Sequence, residues 1–183
     1  MRCFVAFDLP APVCNHLAAV VGPLRDRYQI RWVPREQMHL TMLFAGELAP
    51  AGVDALCDHV ERVDAAPVSL SLDRLGAYPP RGLPRVVWAS LAGDVETLAR
   101  VHGELEDLGA VHGVAREKRG FSPHVTLGRV KGNFGALALL DQLIELSGEL
   151  KDKPFAPPSL SVYESRLTPR GPRYEVLTRR PLR

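Results

Sequence analysis

Two short stretches of the sequence combine residue types that can do chemistry: His-Leu-Thr-Met at 39–42 and His-Val-Thr-Leu at 124–127. Both read His, apolar, Thr, apolar, in a chain that has 6 histidines. Given the composition, one histidine meets this pattern by chance with a probability of about 0.006, and two of the six do so with a probability of about 5 × 10⁻⁴. The repetition therefore indicates a function that uses two copies of one motif.

Each motif predicts one histidine and one threonine on the same face of a β-strand. Side chains alternate between the two faces of a strand, so His39 and Thr41 point one way, and His124 and Thr126 also point together. The apolar residues of each motif anchor its strand on a core. If the two strands face each other, one cleft receives two imidazoles and two hydroxyls.

This set of side chains suits phosphodiester chemistry. Histidine titrates at about pH 6.5, so one imidazole can take a proton from an attacking water or alcohol while the other gives a proton to the leaving oxygen. Threonine hydroxyls can donate hydrogen bonds to the non-bridging phosphate oxygens. Such a reaction needs no protein nucleophile, no metal and no cofactor, and we expect none.

Competing chemistries lack their motifs. The sequence has no His-x-x-x-His or His-Glu-x-x-His spacing, no glycine-rich nucleotide-binding loop and no Gly-x-Ser-x-Gly turn. Spacing alone does not exclude a Ser/His or Cys/His site, but nothing locates one. Cys3, Cys14 and Cys57 are scattered, which argues against a disulfide framework and a zinc site. The remaining histidines are expected to be solvated or structural: His16, His59, His102 and His112.

Length and composition predict an ordinary globular chain. Its 183 residues fit one domain, its net charge is +2, and 19 of its 23 basic residues are arginine. Arginine suits phosphate recognition, but the base composition of the source genome is the favoured explanation of the bias. No signal stretch opens the chain and no apolar run approaches the roughly 20 residues of a membrane span. We therefore expect a cytoplasmic monomer that does not enter a membrane.

The elements that must position the motifs follow the order βαββαββαβαββ. Helices are predicted over 11–28, 50–64, 94–110 and 137–150, and strands over 2–9, 30–33, 39–45, 68–78, 86–91, 122–130, 159–167 and 173–177, the last two forming a hairpin around Thr-Pro-Arg-Gly. Strand pairs broken by single helices favour an α+β fold with antiparallel sheets. The motif strands lie 85 residues apart and each precedes a helix, which indicates two similar lobes in one domain, 1–183.

The motifs and their flanks resemble a known family. The stretches Arg2–Pro10, Arg31–Leu48, Pro84–Leu91, Phe121–Val130 and Tyr163–Leu177 are similar to those of the two-histidine phosphoesterase superfamily, specifically the bacterial and archaeal RNA 2′,3′-cyclic phosphodiesterases, also called 2′-5′ RNA ligases. The resemblance implies a two-lobed, pseudo-twofold fold with antiparallel sheets lining a central cleft and helices outside. It also implies metal-independent opening of RNA 2′,3′-cyclic phosphates to 2′-phosphomonoesters, with 2′-5′ ligation as the reverse activity.

The same resemblance assigns roles to the four motif residues. His39 would donate a proton to the departing 3′ oxygen, His124 would accept a proton from water, and Thr41 and Thr126 would hold the phosphate. The local sequence cannot by itself tell the two His-Thr pairs apart.

Other substrate-binding residues are less well defined. Arg129 reaches the cleft only if its strand ends or bulges near Gly128, and Arg85 borders a Pro/Gly loop. Other basic residues near RNA would be Arg81, Arg116, Lys118 and Arg119, each more readily explained as surface charge. Aromatic residues that can stack a base, but that we expect to pack in the core, are Phe44, Trp32, Tyr78 and Phe121.

Two alternative functions stay open from the sequence. One is a phosphodiesterase that acts on a small cyclic nucleotide or an ADP-ribose cyclic phosphate. The other is a non-catalytic RNA- or nucleotide-binding adaptor, which the two intact motifs disfavour because binding alone needs no matched acid and base.

Overall fold

The computed structural model describes residues 1–64, 67–132, 135–150, 153–169 and 171–182. Within these ranges the elements are β1 (Arg2–Asp8), α1 (Ala11–Val20), β2 (Ile30–Trp32), β3 (His39–Glu47), α2 (Pro50–Arg62), β4 (Leu70–Tyr78), β5 (Val86–Gly93), α3 (Val95–Val111), β6 (His124–Val130), α4 (Ala136–Ser147), β7 (Ser159–Thr168) and β8 (Gly171–Pro181). This confirms the predicted order of elements. The hairpin turn was predicted to include Arg170, which lies outside the described residues.

The first helix ends earlier than predicted. It stops at Val20, and a short 3₁₀ turn follows at Gly22–Leu24. Pro23 has no amide hydrogen, and a proline disfavours helical geometry at the residue before it. The apolar spacing continues to Leu24, which is fully buried. The buried residues thus extend beyond the end of the helix, and the spacing alone predicts too long a helix.

All strands join one antiparallel sheet in the order β4-β5-β6-β3-β1-β7-β8, with β2 also paired to β6. The two motif strands, β3 and β6, are neighbours at its centre, where Leu40 lies opposite Val125. The order reads symmetrically outward from this pair. The segments β1-α1-β3-α2-β4 and β5-α3-β6-α4-β7 are equivalent, and each places its last strand beside the first strand of the other half. This confirms the α+β, pseudo-twofold prediction, with the two lobes sharing a sheet.

The hydrophobic core occupies one face of this sheet. Cys3, Val5 and Phe7 of β1 point into it and are fully buried. Each α-helix adds a buried apolar stripe, which includes Leu17, Leu56, Leu98 and Leu139. Each such leucine stabilises the fold by about 1.5–3 kcal/mol relative to an exposed position. Because the helices cover this face, the opposite face of the central strands stays available for the motifs.

Both motif strands contain a β-bulge just after the threonine. In β3, Thr41 lies opposite Ala6 of β1, but the next pair is Leu43 with Val5, so Met42 is skipped. In β6, the register with β5 skips the equivalent residue, Leu127. A bulge adds one residue to a strand and so reverses the alternation of the residues that follow. The position five residues after each motif histidine therefore returns to the histidine's own face.

A histidine on the neighbouring helix supports the bulge in β3. Nδ1 of His102 donates a hydrogen bond to the carbonyl oxygen of Met42 at 2.6 Å, and its ring stacks on Phe121 with centroids 4.3 Å apart. Met42 is 1% exposed, so its carbonyl depends on this donor rather than on water. Of the two roles expected for His102, solvated or structural, these contacts identify the structural one.

The cysteines and the helices test the expectations about disulfides and membrane spans. Cys3, Cys14 and Cys57 are free thiols, as their scattered positions predicted. In the described ranges, no helix is both long enough and apolar enough to cross a membrane. The cytoplasmic location and the monomeric state stay predictions.

Replacing His102 by alanine is expected to lower the free energy of unfolding by about 1–3 kcal/mol, because a buried carbonyl loses its donor. Urea unfolding monitored by circular dichroism measures the change. His102→Asn is the matched control, since its side-chain amide can donate from nearly the same position and should recover much of the loss. An alanine variant as stable as the parent would show that the bulge does not need this hydrogen bond.

Candidate active site

The four motif side chains form a square at the centre of the sheet. The antiparallel pair Leu40–Val125 sets the register, so its neighbours place His39 opposite Thr126 and Thr41 opposite His124. Directly opposite Cβ atoms lie about 4.5–5.5 Å apart and diagonal ones roughly 7–8 Å apart. The two histidines thus occupy one diagonal, and the two threonines occupy the other.

Both imidazoles are held in the same orientation by the backbone. Nδ1 of His39 lies 2.7 Å from the carbonyl oxygen of Gln37, and Nδ1 of His124 lies 2.8 Å from that of Ser122. A carbonyl only accepts hydrogen bonds, so each Nδ1 carries a hydrogen. Each Nε2 is therefore left to accept a proton when the ring is neutral and to donate one when the ring is charged.

His39 lies in an aromatic setting. It stacks on the buried Phe4, with centroids 4.8 Å apart, and meets the edge of Tyr174 at 5.6 Å. Burial lowers the pKa of His39 below its ordinary value, and the nearby His124 acts in the same direction. The Gln37 carbonyl and the Asp8 carboxylate oppose this shift in pKa. The net result is a pKa below the ordinary value of histidine.

His124 has a different set of neighbours. The Tyr78 ring packs edge-on against it, with centroids 5.5 Å apart. Tyr78 in turn packs against Trp88, with centroids 5.1 Å apart. The Trp88 ring covers Gly76 so closely that a Cβ there would come within 2.4 Å of it. This tyrosine and tryptophan form an aromatic wall on the β4–β5 side of the square.

A buried polar cluster lies on the His39 side. The Asp8 carboxylate, opposite His39 in β1, accepts hydrogen bonds from the hydroxyls of Ser159, Ser161 and Tyr163. The guanidinium Nε of Arg179 lies 3.3 Å from the same carboxylate. Burial, and then the Asp8 carboxylate, raise the pKa of Tyr163, so its phenol stays a donor.

A cavity of about 710 Å³ opens beside this cluster and reaches His39. Tyr163, Tyr174 and Val176 provide apolar surface, and Asn15 and Arg179 provide polar groups. Its volume lies within the range of about 300–1,000 Å³ that is usual for small-molecule sites. The cavity thus continues the square of motif side chains over β1, β7 and β8.

The bulge in β6 brings Arg129 onto the motif face. Arg129 pairs with Val86, and Thr126 pairs with Trp88 two residues further along β5, so Arg129 and Thr126 share a face. Arg31 of β2 lies opposite Arg129. Burial raises the pKa of Tyr174, while the positive charges of Arg129, Arg31 and Arg2 lower it. This places three guanidinium groups in electrostatic reach of the ring that touches His39.

Other candidate residues lie further from the motifs. Arg85 is exposed, its backbone bonds to Tyr78 and Val130, and alternation along β5 assigns its side chain to the face opposite Arg129. In the basic segment, Arg116 pairs with Asp107, and Arg119 pairs with Glu117; Arg81 and Lys118 are exposed.

Two of the four aromatic residues predicted to pack in the core, Phe44 and Tyr78, do not do so. Phe44 is 57% exposed rather than packed in the core, because the bulge at Met42 turns it to the motif face, where the guanidinium of Arg2 lies 5.4 Å from its ring centre. Trp32 and Phe121 do pack against the core, as predicted. Tyr78 is half-buried and contacts His124 instead.

Sequence reasoning missed the Asp8 cluster and Tyr174. A usable signal was present in Ser-Leu-Ser-Val-Tyr at 159–163, where hydroxyl and aliphatic residues alternate strictly. This pattern places three hydroxyls on one face of a strand. An acidic residue at the end of the otherwise apolar β1 was the second signal, but nothing in the sequence links the two segments.

The chain is similar to known proteins along almost its whole length. Residues 7–88 match the sequence model described as LigT like Phosphoesterase. An RNA 2′,3′-cyclic phosphodiesterase of Thermotoga maritima is 31% identical over 97% of this chain and 93% of its own, and one of Archaeoglobus fulgidus is 30% identical over 97% and 98%. The chain belongs to the LigT-like RNA 2′,3′-cyclic phosphodiesterase family.

Solved structures agree with this family membership. The crystal structure of TT0787 of Thermus thermophilus superposes with a TM-score of 0.76 and 27% identity, covering 100% of this chain and 98% of that one. Another, described as a phosphoesterase, superposes with a TM-score of 0.76 and 25% identity over 99% and 97%. The fold predicted from the resemblance is thereby confirmed.

No group of three or more His, Cys, Asp or Glu side chains that could hold a metal ion occurs in the described part of the chain. Whether the LigT-like site works without a metal stays a prediction, because the composition of a site does not test its reaction.

Both motif histidines should show the Nδ1–H tautomer, and His39 should titrate below about pH 6.5, because burial disfavours its charged form. Nitrogen-15 NMR of the ligand-free protein measures both. The unfolded chain then takes up the His39 proton at a higher pH than the folded one, so this group lowers the stability of the fold progressively as pH falls through the His39 pKa. A His39 that titrates above 6.5, or an Nε2–H tautomer, would contradict the geometry described above.

Proposed function

We propose that this protein hydrolyses RNA 2′,3′-cyclic phosphate ends to 2′-phosphomonoesters, without a metal ion. The observation that carries the proposal is the square of two Nε2-presenting imidazoles and two threonine hydroxyls, built by the register of β3 and β6. The curated relatives named above as RNA 2′,3′-cyclic phosphodiesterases support it. A binding adaptor would need no such matched pair of imidazoles.

The reaction proceeds by in-line displacement at phosphorus. The Nε2 of neutral His124 takes a proton from water as the water oxygen bonds to phosphorus. The bond from phosphorus to the 3′ oxygen breaks, and that oxygen receives a proton from Nε2 of charged His39. The product is a 2′-phosphomonoester with a free 3′-hydroxyl. His124 then holds the proton and His39 lacks one, so exchange with solvent restores the starting state.

The remaining corners of the square hold the phosphate. Hydroxyls of Thr41 and Thr126 donate to its non-bridging oxygens, whose charge must be stabilised in the transition state. Arg129, on the same face as Thr126, adds a guanidinium that suits phosphate oxygens. In this account Arg85 has no direct role at the phosphate, because its side chain is assigned to the other face of the sheet.

The position of the leaving oxygen locates the terminal nucleoside. The 3′ oxygen stays attached to the terminal ribose, so the ribose lies on the His39 side, where the 710 Å³ cavity begins. The attacking water enters from the His124 side, along the aromatic wall of Tyr78 and Trp88. With an RNA 5′-hydroxyl in place of water, the same proton transfers give a 2′-5′ phosphodiester, which is the ligase activity.

Incubation with an oligonucleotide that ends in a 2′,3′-cyclic phosphate, in excess EDTA, should give the 2′-phosphomonoester alone. The isomer follows from protonation of the 3′ oxygen, and turnover follows from a mechanism that uses imidazoles only. Phosphorus-31 NMR identifies the product, and a small cyclic nucleotide and an ADP-ribose cyclic phosphate serve as comparison substrates. Loss of activity in EDTA that a divalent cation restores, or formation of the 3′-phosphate, would overturn the mechanism.

His39→Ala and His124→Ala should each lower kcat by about 10²–10⁴-fold, and the double variant should be little worse, because the two act as one unit. Thr41→Ala or Thr126→Ala should cost roughly 10²–10³-fold. A substrate whose 3′ leaving group is a thiolate needs little protonation, so it should rescue His39→Ala far more than His124→Ala. Equal rescue of both variants would refute the assignment of donor and acceptor.

A further inference from the structure

The two halves of the active site differ in the residue that lies opposite each motif histidine on the neighbouring strand. In β1, Asp8 lies two residues after Ala6, the partner of Thr41, and is opposite His39. In β5, Ser90 lies two residues after Trp88, the partner of Thr126, and is opposite His124. At positions related by the pseudo-twofold symmetry, His39 thus has a carboxylate as its cross-strand neighbour, whereas His124 has a hydroxyl.

The Asp8 carboxylate is fixed and largely shielded from water. Its side chain is 16% exposed, the Ser161 hydroxyl donates to it at 2.8 Å, and Ser159 and Tyr163 donate as well. These bonds tie the carboxylate to β7, so it acts on His39 through its charge and not by contact with the reacting phosphate. On the other side, the nearest carboxylate in the hydrogen-bond network is Asp73, which accepts from Ser90, and its side chain is 52% exposed.

Several groups besides Asp8 face His39 and can affect its protonation. His124 lies across the square on β6, Tyr174 of β8 meets the ring edge-on, and the carbonyl of Gln37 accepts from Nδ1. Arg35 and Glu36, at the mouth of the cavity, pair with each other at 2.8 Å. The guanidinium groups of Arg2, Arg31 and Arg129 act on Tyr174, whose pKa they lower against the effect of burial.

We propose that Asp8 is a positioning residue that makes His39, rather than His124, the imidazole that holds the proton when the substrate binds. Among the groups that face His39, it supplies the fixed negative charge, and its exposed counterion Arg179 moderates that charge. The proposal rests on the two-histidine mechanism proposed above, and it accounts for the direction of the reaction in a site whose two motifs are otherwise alike.

Two substitutions with opposite expected effects test this role. Asp8→Asn removes the negative charge at nearly constant size, so the titration midpoint of His39 should fall. Arg179→Gln removes the moderating positive charge, so the midpoint should rise. Carbon-13 or nitrogen-15 NMR of the ligand-free protein reports both without any need for activity. Asp73→Asn is the matched control from the other half of the sheet and should leave the His39 midpoint in place.

Kinetics supply the second readout. Asp8→Asn should lower kcat for the cyclic-phosphate oligonucleotide by about three- to tenfold, because a smaller fraction of His39 then carries the proton that it donates, with KM little changed and the optimum moved to lower pH. Hydrolysis of the 3′-thiolate substrate should be nearly unaffected. An inactive parent protein would refute the proposed function, whereas the NMR midpoints would still decide the role of Asp8.

Two results would show that Asp8 does not position the proton on His39. An unchanged His39 midpoint in Asp8→Asn, or shifts of the same sign in both variants, would show that the cluster only supports the fold. If Asp8→Asn does not fold, Arg179→Gln decides alone, because the Arg179 side chain is 52% exposed. A midpoint that does not rise in that variant would then refute the proposal.

Discussion

The pairing of β3 with β6 at Leu40 and Val125 is the constraint on which the site depends. Both residues are completely buried, and they are the point at which the two halves of the sheet meet. A slip of one residue would turn one strand over and move its histidine and threonine to the helix-covered face. The hydrophobic effect on two aliphatic side chains thus sets the geometry of four polar ones.

The two bulges extend this constraint to the rest of the site. Each inserts one residue after a motif threonine, Met42 in β3 and Leu127 in β6, and both of these side chains are buried. As a result, Phe44 and Arg129 turn back to the motif face at equivalent positions of the two halves. One half of the site thereby carries an exposed ring and the other a guanidinium, so the fold is symmetric while its chemistry is not.

The sequence was sufficient for elements whose signals are local. Alternation in the motif strands and the spacing of apolar residues in the helices predicted the order of elements and the shared face of each His-Thr pair. Arg129 could be predicted only conditionally, because a bulge depends on the register with β5. The exposure of Phe44 was missed for the same reason. Asp8 was missed because its partners Ser159 and Tyr163 are 151 and 155 residues away, and pairings between strands that distant leave no local pattern.

The proposed reaction requires the two motif histidines to lie on opposite sides of one phosphorus atom. A crystal structure with a nucleoside vanadate, whose five-coordinate vanadium mimics the transition state of the displacement, shows whether they do. We expect each apical oxygen to lie about 2.6–3.2 Å from one Nε2, with the ribose 3′ oxygen beside His39, the water-derived oxygen beside His124, and Thr41 and Thr126 on the equatorial oxygens. Vanadate bound with both imidazoles on one side, or with the ribose oxygen beside His124, would contradict the proposed reaction.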